Sequence, residues 1–326
     1  MKKFLMQTCR CCLFIGGLAL LLLVASKLVT PKSFGTKDSS IQDAMANAIM
    51  DEPEQTIDLL ILGDSETYSS MIPLQLWKDY GITGYNCGTP AQNLGYSMDF
   101  LKKAFQKQTP KVVILETNAI YRDFSYAEAV KYKMDRKFSI FSYHNRWKSF
   151  SKKAGQTSVY ADNTKGYVFS DAIAAADAGE YMKLTSEKET ISAKSLTYLD
   201  DIAAFCKKKN AKLVLVSTPS VVNWNYRRHN SVQEVANRLG VEYIDMNVLT
   251  ENIPINWDTD TRDHGDHLNY SGAYKVTSYL GEMLSGWEVL PDHRFDQKYT
   301  AWDDCLVLFE ELTGTSSGEN IVVSAK

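Results

Sequence analysis

Gly63-Asp64-Ser65-Glu66 follows directly on an apolar run, Ile57 to Leu62. A serine there, on the turn into a helix, sets its hydroxyl beside backbone N–H groups that could stabilise an oxyanion. Alone, such a serine reads first as a helix N-cap. Three other stretches change that balance. Asn86-Cys87-Gly88-Thr89-Pro90 and Glu116-Thr117-Asn118 each follow a further apolar run, bringing a flexible backbone donor and a side-chain amide donor. Asp263-His264-Gly265-Asp266-His267-Leu268-Asn269, near the end of the fold, adds a base and an acid to orient it.

These residues have to be held together by elements that the hydrophobic pattern predicts. Ile57 to Leu62, Lys111 to Glu116, Lys212 to Thr218 and the shorter Glu242 to Asp245 read as strands buried on both faces, with Thr83 to Asn86 a weaker fifth. Helical periods over Asn93 to Gln108, Ser195 to Asn210 and Ser231 to Leu239 lie between them. Strands alternating with helices predict a three-layer α/β/α, flavodoxin-like parallel sheet. In such a sheet ligands sit beyond the carboxyl ends of the strands, which is where Ser65, Gly88 and Asn118 fall. Residues 120–194 break the alternation and are expected as a helical insertion over one end of the sheet. Residues 36–55 read as a tether, 56–290 as the domain, and 291–326 as a tail whose final stretch is partly strand or loose.

The first 35 residues have another character. Lys2, Lys3 and Arg10 precede an uncharged run, Cys11 to Ser26, and no A-x-A site follows. With Leu28 and Val29 added and Lys27 snorkelling, the segment approaches spanning length. It is read as an uncleaved single-pass anchor, with its basic end in the cytoplasm and the domain outside, a cleaved signal peptide being the alternative. Lys+Arg number 36 against 39 Asp+Glu, and 44% of residues are hydrophobic, which speaks against a nucleic-acid binder held by phosphate contacts and against a disordered chain. Of six cysteines, Cys9, Cys11 and Cys12 lie at the membrane edge; Cys87, Cys206 and Cys305 make neither a disulfide framework nor a C-x-x-C pair.

The blocks Gly63-Asp64-Ser65, Gly88, Asn118 and His267 resemble, in that chain order, those of the SGNH (GDSL-type) hydrolase superfamily, over roughly residues 56–285. The N-terminal anchor, Gly88-Thr89-Pro90-Ala91-Gln92-Asn93, Tyr143-His144-Asn145-Arg146-Trp147 and His267-Leu268-Asn269-Tyr270-Ser271-Gly272-Ala273 further resemble anchored bacterial proteins of the DltD and alginate-acetylation types, which modify cell-envelope polymers. The resemblance implies a Ser-His-Asp site: Ser65 the nucleophile, His267 the base, Asp266 or Asp263 its orienting acid, and the N–H groups of Ser65 and Gly88 with the Asn118 amide as oxyanion donors. It implies acyl transfer on a polysaccharide or teichoic-acid-like polymer, fed by a membrane-bound O-acyltransferase partner. A carbohydrate or lipid esterase and a noncatalytic scaffold are the alternatives. Two departures stand out. The family's Asp three residues before His is here His264, and in the G-x-N-D block Glu116 and Ala119 replace the glycine and the aspartate.

Other candidates carry plainer readings. Asp258, Asp260, Asp263, His264, Asp266 and His267 do not have EF-hand spacing, and a solvated acidic loop is expected in place of a metal site; no cofactor is expected. His144, Arg146 and Trp224 are candidate polymer-binding residues, with packing as the alternative for each. Cys87 reads as a small buried residue at a strand end.

Overall fold

The computed structural model describes residues 2–30, 41–143 and 164–315. Five strands, β1 (Leu59–Leu62), β2 (Gly84–Asn86), β3 (Val112–Glu116), β4 (Lys212–Ser217) and β5 (Glu242–Asp245), form one parallel sheet in the order β2-β1-β3-β4-β5. Four coincide with the apolar runs of the sequence, and β2 with the weaker candidate Thr83 to Asn86. The order is that of a flavodoxin-like sheet, in which direction reverses between β1 and β3. The register sets Leu62 beside Leu115 and Glu116 beside Val216. The segments that leave the strands therefore emerge on one edge.

The helices are α1 (Lys2–Val29), α2 (Ile41–Asn47), α3 (Ser65–Ser70), α4 (Pro73–Tyr80), α5 (Leu94–Ala104), α6 (Tyr126–Lys137), α7 (Ile140–Tyr143), α8 (Ala193–Lys208), α9 (Tyr226–Leu239), α10 (Tyr270–Ser285) and α11 (Thr300–Thr313). Because successive strand side chains point to opposite faces, the sheet feeds two cores. Leu60, Leu62, Val113, Leu115, Leu213 and Leu215 pack with Leu101 of α5, Ile202 of α8 and Val232 of α9. Leu59, Ile61, Val112, Ile114, Val214 and Val216 pack with Val276, Leu280 and Leu284 of α10. Each such side chain contributes about 1.5–3 kcal/mol by leaving water.

Three expectations about the outlying segments need correction. The part of the tether from Ile41 onward is packed on the domain: Met45, Ala46 and Ile49 are buried, and the Tyr85 hydroxyl donates to the Met45 carbonyl. The tail belongs to the domain as far as Thr313, because Trp302, Cys305 and Phe309, one face of α11, enter the first core; its final stretch from residue 316 lies outside the described residues. Among the described residues the insertion is helical only in α6 and α7, before α8 begins at Ala193. From Val168 to Ser192 it runs without helix or strand, hydrogen bonded through Val168 N–H to Tyr68, Ala174 N–H to Thr261 and Glu189 N–H to Arg227.

Helix α1 is long and apolar enough to cross a membrane. Its last turn meets α7, where Ser26 Oγ accepts from the Ile140 N–H and Thr30 Oγ1 bonds to Ser139 Oγ.

Candidate active site

Ser65 is the first residue of α3 and is buried. It is not the cap. Asp64 holds that position, its Oδ1 accepting from the Glu66 N–H at 3.1 Å. Standing at the first helical position, the Ser65 N–H has no acceptor within the helix and is left for another group. The Ser65 hydroxyl is a hydrogen-bonding neighbour of the Tyr68 phenol, which burial raises above its ordinary pKa.

His267 approaches from the loop before α10. Its Nδ1 lies 2.6 Å from Asp263 Oδ2, and Asp263 Oδ1 accepts the His267 backbone N–H, also at 2.6 Å. An ionised carboxylate only accepts, so in the neutral ring Nδ1 carries the proton and Nε2 the lone pair. Asp266 Oδ2 is further off, 3.7 Å from Nδ1. Of the two aspartates left open by the sequence, Asp263 is therefore the partner. The loop makes this geometry by turning through His264 (φ 61°) and Gly265 (φ 86°). A Cβ on Gly265 would meet Val221 Cγ2 at 2.1 Å, so only glycine fits there. His267 Nε2 is buried without a hydrogen-bond partner.

Asn118 lies in the 3-10 turn Thr117–Ile120 that follows β3. Its amide is clamped from both sides: Nδ2 donates to Asp64 Oδ2 at 2.9 Å, and Oδ1 accepts from Arg228 Nη1 at 3.0 Å. Nδ2 has a second proton to give. Glu116, standing where the family pattern has glycine, caps the turn by accepting the Asn118 N–H at 2.9 Å. Arg228 is fixed in turn by Glu189 and lies 4.2 Å over the Tyr121 ring.

Gly88 comes to the site by close approach, since a Cβ there would meet Thr67 Oγ1 at 2.1 Å and the Asp64 carbonyl at 2.8 Å. Its N–H, expected as an oxyanion donor, instead donates to Asn86 Oδ1 at 3.0 Å. The adjacent Asn86 amide reaches it because the two residues form a tight local turn.

Five residues of this neighbourhood escaped sequence reasoning: Asp64, Glu66, Arg122, Asn223 and Arg228. Asp64 is fully buried and ion-paired with Arg122 Nε at 2.7 Å. Glu66 and Glu116, also buried, are pushed well above the usual carboxylate range, first by loss of hydration and then by the Asp64 charge. Asn223 Nδ2 donates to Glu66 Oε1 at 2.7 Å and to Asp266 Oδ1. Only Asp64 and Glu66, flanking Ser65, carried a signal, namely two acids beside a candidate nucleophile.

Trp224 is a correction. It is buried in the first core, its indole N–H donating to Asp245 Oδ2 at 3.0 Å, so it offers no surface to a polymer. A large apolar ring with one satisfied polar atom is better placed there than in water. His144 and Arg146 lie outside the described residues. Cys87 is buried and its thiol pushed up by lost hydration, as fits an inert packing residue.

No protein-family model matches the chain, and no curated protein does. Solved structures that resemble it include a lipase/acylhydrolase from Enterococcus faecalis, at 12% identity over 71% of this chain and 96% of that one, TM-score 0.39. The psychrotrophic esterase EstA from Pseudoalteromonas sp. matches at 10% identity over 71% and 97%, TM-score 0.39. An acetyl xylan esterase, AlAXEase, matches at 16% identity over 69% and 99%, TM-score 0.37. At these identities, and with TM-scores below 0.5, nothing about reaction or substrate follows from them.

Proposed function

We propose that this protein is a membrane-anchored serine acyl-transfer protein of the SGNH type, acting on O-acyl groups, chiefly O-acetyl, of a bacterial cell-envelope glycopolymer. The observation that carries the reading is the His267–Asp263 pair. It leaves one imidazole nitrogen with its lone pair, buried and unengaged, on a loop that meets the helix headed by Ser65 through the bond from Arg262 Nη2 to Ser69 Oγ.

In the proposed reaction Ser65 Oγ turns from Tyr68 toward His267 Nε2 and attacks the ester carbonyl, its proton passing to Nε2. The C–O bond to the leaving alcohol breaks, and that alcohol takes the proton from the imidazolium held by Asp263. A hydroxyl of the polymer, deprotonated by His267, then attacks the acyl-Ser65 ester; the bond from the acyl carbon to Ser65 Oγ breaks and the imidazolium returns the proton to Oγ. The Ser65 N–H and the free proton of Asn118 Nδ2 are the oxyanion donors; the Gly88 N–H joins them only if it leaves Asn86. Helix α1 as an anchor would hold the site at the outer membrane face, near a membrane-bound O-acyltransferase that delivers acyl groups.

The test follows the fate of an acyl group. The full-length protein in detergent is acylated with an activated acetyl ester, then offered envelope polysaccharide or water alone. Acetyl appearing on the polymer in preference to free acetate supports a transferase. Release to water at the same rate with and without polymer assigns an esterase. Wild-type polymer acetylation in cells carrying Ser65→Ala would remove both and leave a scaffold.

A further inference from the structure

We infer that Glu66, Asp266 and His267 form a binding site for a divalent transition-metal ion, best matched by zinc, which shares His267 with the proposed acyl-transfer centre. Glu66 comes from α3 and the other two from the loop before α10; Asp266 and His267 belong to the group Asp258 to His267 for which the sequence led to a solvated acidic loop, and Glu66, which that group did not include, joins them here. In that run Asp260 is already occupied by Lys275 Nζ at 2.6 Å and the Asn256 N–H at 2.7 Å.

Three features of the arrangement point to a ligand. One metal-ligating atom from each of the three residues lies within 4.8 Å of the other two. Each side chain is then aimed by a neighbour that holds its other atom. Asn223 Nδ2 engages Glu66 Oε1 and Asp266 Oδ1, and Asp263 engages His267 Nδ1. Such outer partners are what fix ligands in metal sites, above all a carboxylate on the far nitrogen of a ligating histidine. What remains after these bonds is Glu66 Oε2 and His267 Nε2, both buried and both without a hydrogen-bond partner. Glu66 is only 1% exposed, so its oxygen has no solvent to turn to. An unmet buried polar atom costs about 1–3 kcal/mol, and two of them on residues that Asn223 and Asp263 hold in position call for a partner.

The donor chemistry selects the ion. One imidazole with two carboxylates suits zinc and its neighbours, whereas magnesium and calcium ask for six or more oxygens. Zinc bonds of about 2.0–2.2 Å require the donors to draw together by side-chain rotation, leaving a fourth position open. An ion on Nε2 takes the lone pair that would accept the Ser65 proton. Metal occupancy and acylation of Ser65 therefore exclude one another.

Untagged full-length protein in detergent, stripped with chelator and dialysed, is titrated with zinc alone by calorimetry, with bound metal counted by mass spectrometry. The expected result is one zinc per chain, bound tenfold or more weakly in both Glu66→Gln and Asp266→Asn and with unchanged strength in Ser65→Ala. Cobalt in its place should give the visible bands of a four-coordinate site, lost in His267→Gln. Thermal melts confirm that each variant is folded. No stoichiometric zinc at about 100 µM, or equal affinity in folded Glu66→Gln and Asp266→Asn, overturns the inference. Because the readout is binding, it separates from the catalytic proposal: zinc bound without acylation of Ser65 by an activated ester in the stripped protein removes that proposal and leaves this one.

Discussion

The Asp263 carboxylate holds His267 twice, accepting its backbone N–H and facing its Nδ1, both at 2.6 Å. The two residues are four apart. They meet because His264 and Gly265 turn through the left-handed region and double the loop back on itself. One carboxylate thereby sets both the position of the loop and the tautomer of the ring.

Asp263→Asn should lower kcat for an activated ester by about 10³–10⁴-fold, since an amide can present its N–H to Nδ1 and so favour the wrong tautomer. Asp266→Asn, altering a carboxylate 3.7 Å away that makes no hydrogen bond to the ring, should cost about tenfold or less, roughly 1.4 kcal/mol. Steady-state kinetics on metal-free protein decides between them. A larger loss in Asp266→Asn would reverse the assignment.

Gly88→Ala should destabilise the fold by about 1–3 kcal/mol, because the new methyl group would press on Thr67 Oγ1 and on the Asp64 carbonyl at the head of α3. Denaturant unfolding reads this directly. A neutral substitution would mean that the loop after β2 can retreat from Ser65.

Glu116→Gln should stabilise the protein at neutral pH. The raised folded-state pKa of Glu116 means that the native form binds its proton more tightly than the unfolded chain. Its stability is therefore greatest below the unfolded value of about 4.3 and declines as pH rises from there toward the folded value, by about 1.4 kcal/mol for each pH unit crossed. Glutamine does not titrate and still accepts the Asn118 N–H. Unfolding free energies of the two proteins should converge near pH 4 and part as pH rises above it; parallel curves would mean that Glu116 is ionised in the fold at no cost.

Lys165→Met should cost about 3–5 kcal/mol, since it removes the ammonium that lies 2.7 Å from the buried Glu52 carboxylate. Lys165→Met combined with Glu52→Leu should recover much of the loss. Failure of the double variant to recover would point to the contact of Lys165 with the Trp302 ring, 4.8 Å away, as the larger contribution.

The sheet was legible because its strands are buried on both faces: Val112-Val113-Ile114-Leu115 and Leu213-Val214-Leu215-Val216 have few other places to go. Ser65, Asn118 and His267 were legible as candidates because the first two follow such strands and the third precedes a helix, α10. What could not be read is what links distant parts of the chain. Arg228 clamping Asn118, and Asn223 bridging Glu66 and Asp266, depend on the path between β4 and α9 over the strand ends. Asp263 over Asp266 depended on two left-handed residues that the sequence does not mark apart from Gly265. Trp224 was misread because position at the carboxyl edge does not say whether a ring turns toward ligand or toward Asp245. In α11 the signal was present, Trp302, Cys305 and Phe309 falling on one helical face, but the polar residues after it masked it.

Whether Ser65 is an acyl-accepting nucleophile served by His267 is decided by exposing the metal-free full-length protein to an activated acetyl ester and measuring intact mass and the modified peptide. The expected result is one acetyl group per chain on the peptide containing Ser65, absent in Ser65→Ala and formed at least tenfold more slowly in His267→Ala, a loss of about 1.4 kcal/mol or more of transition-state stabilisation. Acetylation of Ser65→Ala equal to wild type, or of the Ser65 peptide at the same rate without His267, would contradict both roles.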